Sequence, residues 1–168
     1  MTDTASFIVM GVPAPQGSKS AFVRGGRAVV VDGSSTSGRA KHKAWRQAVA
    51  DAASDAAADV DGHGSFFGPT HVHVDFYLPA IKSAPYRWLH TTRPDLDKLI
   101  RSTLDGLVDG GLLADDSLVY ALGVAKHYAA AGHWTGAHIV LEDDTQMEES
   151  NRALLRASAR DARKAGGV

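Results

Sequence analysis

The spacing of hydrophobic and polar residues along the chain predicts five strands. Two short apolar runs, at 7–13 and 27–32, flank a Gly-rich basic turn and are typical of strands. At 70–79 apolar and polar residues alternate, which predicts a half-buried strand with Val72, Val74, Phe76 and Leu78 facing inward. The segments 117–128 and 133–142 predict two more strands joined by a turn of small residues.

Three other segments have the spacing of amphipathic helices. The first, at about 39–59, and the second, at about 95–109, have apolar residues at i, i+3 and i+4, and the third follows residue 145. In the second segment the apolar residues that form one stripe along the helix are Leu96, Ile100, Leu104, Leu107 and Val108. The order β-β-α-β-α-β-β-α predicts an α+β fold, a single domain at 1–145 with a mixed β-sheet flanked by helices. A basic C-terminal helix would follow at 146–168.

Composition limits the chemistry that this domain can use. The 168 residues include no cysteine, so disulfides, thiolate nucleophiles and cysteine-ligated zinc are excluded, and a metal would need oxygen or imidazole ligands. No stretch approaches the roughly 18 consecutive apolar residues of a membrane span, and the N-terminus lacks a signal-peptide pattern. We therefore predict a cytoplasmic protein with no membrane partner.

Positive charge is concentrated in one part of the chain, although the formal net charge is only −1. Residues 16–46 contain seven basic residues and one acid, whereas residues 51–61 contain four aspartates and no base. A Gly-rich basic loop can approach a nucleic-acid backbone closely, although a solvated protein surface can have the same composition. The candidate phosphate-binding residues are Lys19, Arg24, Arg27, Arg39, Lys43 and Arg46.

Four aspartates flank the second predicted helix. Asp95 and Asp97 lie at its start, and Asp115 and Asp116 precede the next strand. One interpretation is structural: Asp95 caps the helix, and Asp97 stabilises the helix dipole and pairs with Arg101. The other is an all-oxygen cage for Mg²⁺ or Mn²⁺, because clustered carboxylates repel one another unless a cation neutralises them. The spacing leaves both interpretations open.

Histidines and serines offer weaker patterns. His71 and His73 share one face of a predicted strand and could form half of a zinc site, but no third ligand has a recognised spacing. We therefore expect a solvated strand face there. Ser18 and Ser117 lack the histidine and acid pattern of an activated nucleophile, so covalent catalysis is not indicated.

The sequence RPDLDKLIRSTLDGLVDGGLLADDSLV at 93–119 resembles the central signature of the RusA family of Holliday junction resolvases. In that family a basic residue and a D-x-D-N-L sequence are followed by a basic residue on the helix, a D-x-L segment and D-D-[SA]-x-V. The spacing agrees throughout this stretch, and the residue types agree at most of the signature positions. Two positions differ, since Lys98 stands where asparagine is usual and Arg101 where lysine is usual.

The resemblance implies a set of site residues. Asp95, Asp97 and Asp116 would be the metal-binding catalytic carboxylates, with Asp115 as a supporting acid in the metal site. Arg101 would be the catalytic basic residue, and because a guanidinium does not deprotonate it would act through its charge. Lys98 would add a positive charge beside the site and is included among the DNA-binding candidates.

The same resemblance implies a function for the domain at 1–145. It would be a Mg²⁺-dependent endodeoxyribonuclease, with Mn²⁺ as a possible substitute, that resolves four-way DNA junctions in recombination and repair. Paired hydrolysis of two strands would require a homodimer, acting in the cytoplasm of a bacterium or of a phage-infected cell. Two alternatives remain: a non-catalytic protein that binds branched DNA, and a nuclease that acts on flaps or forks.

Overall fold

The computed structural model describes residues 4–17, 19–32, 35–59, 64–81, 84 and 88–165. Within these ranges the chain forms six strands, three α-helices and one 3₁₀ turn. The strands are β1 (Thr4–Met10), β2 (Lys19–Arg24), β3 (Arg27–Asp32), β4 (Thr70–Leu78), β5 (Val119–Tyr128) and β6 (Gly136–Asp143). The helices are α1 (Thr36–Asp59), α2 (Leu96–Asp109) and α3 (Thr145–Ala165), and the 3₁₀ turn is Asp116–Leu118. None of the described helices is both long and apolar enough to cross a membrane.

Four of the strands form one mixed sheet in the order β1, β6, β4, β5. β6 pairs antiparallel with β1 and with β4, whereas β4 and β5 are parallel. Parallel neighbours need a crossover connection, and α2 supplies it between β4 and β5. The predicted α+β class with a mixed sheet is confirmed.

β2 and β3 form a separate hairpin, of which only the second strand was predicted. Their antiparallel pairing continues to Arg24 and Arg27, so the turn consists of Gly25 and Gly26 alone. Both glycines have positive φ, 60° and 75°, the conformation that two-residue hairpin turns require. The prediction of a longer Gly-rich turn was therefore wrong. The order of secondary-structure elements begins with three strands, whereas the sequence predicted two before the first helix.

The hydrophobic core lies between the sheet and the pair of helices α1 and α2. The inward alternation predicted for β4 is confirmed, since its four apolar side chains are at most 2% exposed. Trp45 and Val49 of α1 and Leu99 and Leu107 of α2 complete the same buried cluster. Leu99 lies beside the predicted α2 stripe, so the buried face of this helix is wider than the stripe.

The two helices approach one another most closely at Gly106 of α2. A Cβ atom built at this position would lie 2.7 Å from the Cβ of Val49, well inside the normal packing distance of carbon atoms. In the same buried contact, Trp45 Nε1 donates a hydrogen bond to Thr103 Oγ1 at 3.2 Å. This contact fixes the position of α2 and therefore of the residues at its two ends.

We expect Gly106→Ala to lower the free energy of unfolding by about 1–3 kcal/mol, because the added methyl group must push α1 and α2 apart. Urea denaturation followed by circular dichroism measures the change. On an open helix surface the same substitution would instead stabilise the helix by about 1 kcal/mol. A neutral or stabilising result would therefore contradict the close contact.

Candidate active site

The start of α2 presents two carboxylates. Asp95 is the N-cap residue, but its side chain makes no capping hydrogen bond. Instead, Asp95 Oδ2 accepts a hydrogen bond from Lys98 Nζ at 2.9 Å, and this bond lowers the pKa of the Asp95 carboxyl. Asp97 is exposed in the first helical turn, and in the described structure no ion pair joins it to Arg101. The structural interpretation is therefore right that Asp95 is the N-cap residue. The capping hydrogen bond of Asp95 and the ion pair between Asp97 and Arg101, which it also predicted, are not present in the described structure.

Lys126 of β5 holds the segment that leads into α2. Its ammonium group donates to the carbonyl oxygen of Thr92 at 2.9 Å and to that of Pro94 at 2.7 Å. Partial burial lowers the pKa of Lys126, while the negative charge of Asp95 acts in the opposite direction. Sequence reasoning missed this residue. The available signal was a lysine at an inward position of a strand, where a charged group needs a partner.

Asp115 and Asp116 lie at the start of β5. Asp115 precedes the 3₁₀ turn and accepts a hydrogen bond from the backbone N–H of Ser117 at 2.8 Å. Hydrogen bonds from Ser117 lower the pKa of the Asp115 carboxyl. Asp116 begins the turn and is exposed. Backbone hydrogen bonds join the preceding residues, 112–114, to Phe66, just before β4, and so fix the acids at this end of the sheet.

Within one chain, the crossover keeps the two pairs of carboxylates apart. A crossover helix runs antiparallel to the strands that it joins, so α2 starts where β4 ends and finishes where β5 starts. Its 14 residues span about 21 Å. Among the described residues, no group of three or more histidine or acidic side chains could hold a metal ion. The four aspartates therefore do not form the expected cage within a single chain.

A cleft beside the start of α2 is lined by three basic residues, Lys41, Arg93 and Lys98. The loop at 12–17 forms another wall of this cleft and is tied to α2 by a hydrogen bond from Gln16 N to the Lys98 carbonyl at 3.0 Å. The same loop leads towards the β2–β3 hairpin. Lys41 and Arg93 were not among the predicted DNA-binding residues, although both lie in the segments that drew attention to the site. The arrangement offers positive charge for phosphate groups close to Asp95.

The predicted DNA-binding residues have different environments. Arg27, Arg39 and Lys43 are exposed, Lys98 pairs with Asp95, and the side chains of Lys19 and Arg24 lie outside the described part of the structure. Arg101 is also exposed, one helical turn beyond Asp97.

Arg46, one of the predicted DNA-binding residues, connects the two helices. Its guanidinium donates to Asp109 Oδ1 at 2.8 Å and to Asp105 Oδ2 at 3.1 Å. The hydrogen bond between Arg46 and Asp109 raises the pKa of Arg46 and lowers that of Asp109. These contacts give Arg46 a structural role that requires no DNA.

Histidines on the sheet face opposite α1 and α2 pair with acids. His73 Nε2 and His127 Nε2 lie 3.0 Å and 2.7 Å from the two oxygens of Asp75, and His71 Nδ1 lies 3.3 Å from Glu142. Burial raises the pKa of Asp75, but the hydrogen bonds with His127 and His73 outweigh burial and lower it overall. No three ligands for zinc converge among the described residues, so this surface is a partly exposed face of histidine–acid pairs.

A family model described as Endodeoxyribonuclease RusA matches residues 14–135. The chain belongs to the RusA family. The resemblance inferred from residues 93–119 is thus confirmed, and the matched range contains the three basic residues of the cleft and all four aspartates. Membership of the RusA family implies endonuclease activity on Holliday junctions and binding of branched DNA. Among curated proteins, none matches the chain.

We expect Lys126→Met to lower the free energy of unfolding by about 1–2 kcal/mol, because the carbonyl groups of Thr92 and Pro94 lose their hydrogen-bond donor. Lys126→Arg keeps the charge and the donors and should lose less. Urea denaturation gives both values, with Lys43→Met as the control, since Lys43 is exposed on α1. If Lys126→Met is as stable as this control, the lysine does not hold the start of α2.

Proposed function

We propose that the protein is a divalent-metal-dependent endonuclease that resolves four-way DNA junctions by paired hydrolysis of two phosphodiester bonds. The observation that carries the proposal is the match to an endodeoxyribonuclease family over a range that contains Asp95, Asp97, Arg101, Asp115 and Asp116. An enzyme that acts on chromosomal or phage DNA would work in the cytoplasm of a bacterium or of a phage-infected cell.

Mg²⁺ is the proposed cofactor, with Mn²⁺ as a substitute, because carboxylate oxygens are the ligands that these ions prefer. When bound, the ion would activate water for attack and neutralise charge on the phosphoryl group. Asp97 and Asp116 are both exposed and have no side-chain partner in the described structure, which leaves their oxygens available. Asp95 would exchange its bond with Lys98 for the ion.

The geometry favours a homodimer with shared sites. Since the length of α2 separates the two pairs of aspartates, one chain cannot place all four around one cation. A second copy, related by a two-fold axis, could set its Asp115 and Asp116 beside Asp95 and Asp97 of the first. The same symmetry would create two sites, as paired cuts in two DNA strands require.

DNA would be bound through its backbone in this proposal. The cations of the basic cleft lie next to the acidic start of α2, and the exposed side chains of Arg27 and Lys43 would add further phosphate contacts. Arg101 would stabilise negative charge that develops on the scissile phosphate, without transferring a proton. Recognition would then depend on the shape of the junction, since backbone contacts carry no base sequence.

The separation of the acids within one chain is the observation that favours a second candidate, a non-catalytic protein that binds branched DNA. In that case Asp95 and Asp97 would stabilise the start of α2 and Asp115 the 3₁₀ turn. A nuclease acting on flaps or forks would share the proposed site but differ in its preferred substrate. Cleavage of labelled junctions, flaps and forks, with and without Mg²⁺, distinguishes the three.

Shared sites predict complementation between two inactive variants. Asp97→Asn and Asp116→Asn should each abolish Mg²⁺-dependent junction cleavage, because the amide removes a charged ligand while hardly changing the volume. When the two variants are co-expressed with different tags, the mixed dimer should regain nicking at one site, where Asp97 comes from one chain and Asp116 from the other. If each chain held a complete site, both sites of the mixed dimer would remain inactive.

Binding and stability provide the controls for this experiment. Each variant should still bind the junction without metal, because the loss of a carboxylate reduces repulsion of the phosphates. Thermal melts should show an intact fold, since asparagine is also well tolerated at the start of a helix. Folded single variants that cut at the parental rate would overturn the metal-site assignment and leave the non-catalytic candidate.

For Arg101, we expect alanine to lower the single-turnover cleavage rate by about 10²-fold or more, as loss of a charge that stabilises the transition state does. Arg101→Lys should retain much of the rate because it keeps the charge. Arg152→Ala, an exposed change outside the matched range, is the control. An Arg101→Ala variant as fast as this control would remove Arg101 from the mechanism.

A further inference from the structure

A second cavity, lined by aromatic rings, lies at the end of the sheet where β4 and β5 finish. Its volume of about 370 Å³ falls in the range of roughly 300–1,000 Å³ that is usual for small-molecule sites. Besides two alanines, the residues that line this aromatic cavity are Tyr77, Trp88, His127, Tyr128, His133 and Trp134. Among these described residues none carries a fixed charge, so the aromatic cavity and the basic cleft suit different ligands.

Contacts among the side chains hold several of these rings in place. Tyr77 and His127 are paired neighbours on β4 and β5, and their rings stack with a centroid distance of 5.4 Å. Trp134 packs at a steep angle against Tyr77, with the ring centroids 5.0 Å apart. His127 Nε2 is also hydrogen-bonded to Asp75 Oδ1, which fixes the orientation of the imidazole. These walls of the cavity are therefore formed before any ligand binds.

Trp88 supplies a wall that is open to solvent. Its carbonyl oxygen accepts a hydrogen bond from Tyr128 N at 3.0 Å, so its backbone is fixed against the end of β5. Trp88 is nevertheless 58% exposed. The next residue, Leu89, is also 58% exposed but does not line the cavity, because neighbours in an extended segment point to opposite sides. An indole held in this way can stack on a planar ligand.

The segment 88–94 connects the aromatic cavity with the start of α2. Hydrogen bonds with β5 hold this segment along its length. Tyr128 lines the aromatic cavity, and its ring contacts that of His90, which lines the basic cleft, at a centroid distance of 4.4 Å. DNA whose phosphates occupied the basic cleft would therefore pass close to the aromatic cavity.

We propose that the aromatic cavity binds a nucleobase that has left the base stack beside the branch point of a DNA junction. Every base has planar π-faces that stack on aromatic side chains. A phosphate group in the cavity would be without a charged partner, whereas a neutral ring needs none. The inference rests on the proposed function, because it names the part of the same DNA substrate that this cavity would recognise.

Such a cavity would favour branched over continuous DNA. Extruding a base from a duplex costs free energy, because the base must unpair and unstack, and the cost is smallest for bases that are already unpaired. A base at a branch point has lost a stacking neighbour, so it can enter the cavity more easily than a base inside a duplex arm. Stacking in the cavity would thus add to the backbone contacts of the basic cleft.

The affinity for DNA tests this proposal, measured by fluorescence anisotropy without Mg²⁺ so that no cleavage is needed. Trp88→Ala should bind a labelled four-way junction about tenfold more weakly than the parent, as the loss of one stacked base does. Its affinity for a linear duplex of the same length should hardly change. Trp88→Phe keeps a ring and should retain most of the affinity. Leu89→Ala is the matched control, since Leu89 is equally exposed and lies outside the cavity.

Abasic sites in the junction test the contact directly. An abasic site at the nucleotide that enters the cavity should weaken binding by the parent but not by Trp88→Ala, because this variant has already lost the stacking partner. The abasic site is placed in turn at each position that flanks the branch point. At least one position should show this dependence on Trp88, and thermal melts of every variant check that the fold is intact.

Three results would contradict the proposal. Trp88→Ala that binds the junction as tightly as Leu89→Ala would show that the cavity takes no base, as would an abasic scan in which no position depends on Trp88. In sedimentation equilibrium, weaker association of Trp88→Ala with itself, without a change in DNA affinity, would show that a second copy covers the cavity. A parent protein that binds no junction would refute the proposed function as well, whereas the other results refute the base site alone.

Discussion

Packing of α2 against α1 determines where the acidic residues lie. Gly106 lets the backbones come close, the hydrogen bond between Trp45 and Thr103 fixes their relative height, and Arg46 joins their outer edges. A helix held at these points cannot shift along its axis without breaking buried contacts. The positions of Asp97 at its start and of Asp116 beyond its end are consequently set by the core.

Several features of the helix start stabilise the two carboxylates of α2. Backbone N–H groups and the helix dipole stabilise negative charge at this end of the helix. Lys98 forms an ion pair with Asp95, and Lys126 donates hydrogen bonds to the carbonyl groups of the two preceding residues, Thr92 and Pro94. The structural interpretation and the proposed catalytic one are therefore compatible, because the features that stabilise the helix start would also orient the carboxylates in a metal-bound state.

Local patterns in the sequence predicted the features that depend on near neighbours. The alternation of β4, the position of Asp95 as N-cap and the family signature at 93–119 all belong to this class. The first strand of the hairpin, β2, was missed although Gly25 and Gly26 are a direct turn signal, because the basic residues around them drew attention to charge instead of strand pairing.

Contacts between residues that are far apart in the sequence could not be predicted from such local patterns. The partners of Lys126 are 32 and 34 residues away, and those of Arg46 are 59 and 63 residues away, so no spacing rule connects them. The separation of the two aspartate pairs has the same origin. Their closeness in sequence suggested one cage, but a parallel crossover places the start of its helix and the start of its second strand at opposite ends.

The distribution of charge along α1 also bears on how the two separated pairs of aspartates could reach DNA. Its first half contains Arg39, Lys41 and Lys43, and its end contains Asp55 and Asp59. Positive and negative charges are therefore separated along the helix, although the net charge of the chain is only −1. Lys41 lines the cleft at the start of α2, whereas residues 50 and 53 of α1 lie against Gly110 at its end. Phosphate groups would therefore be attracted to the end with Asp95 and Asp97 and repelled from the end with Asp115 and Asp116. The second pair of aspartates can meet DNA at a basic surface if that surface belongs to another copy, and this electrostatic argument supports shared sites independently of the distance.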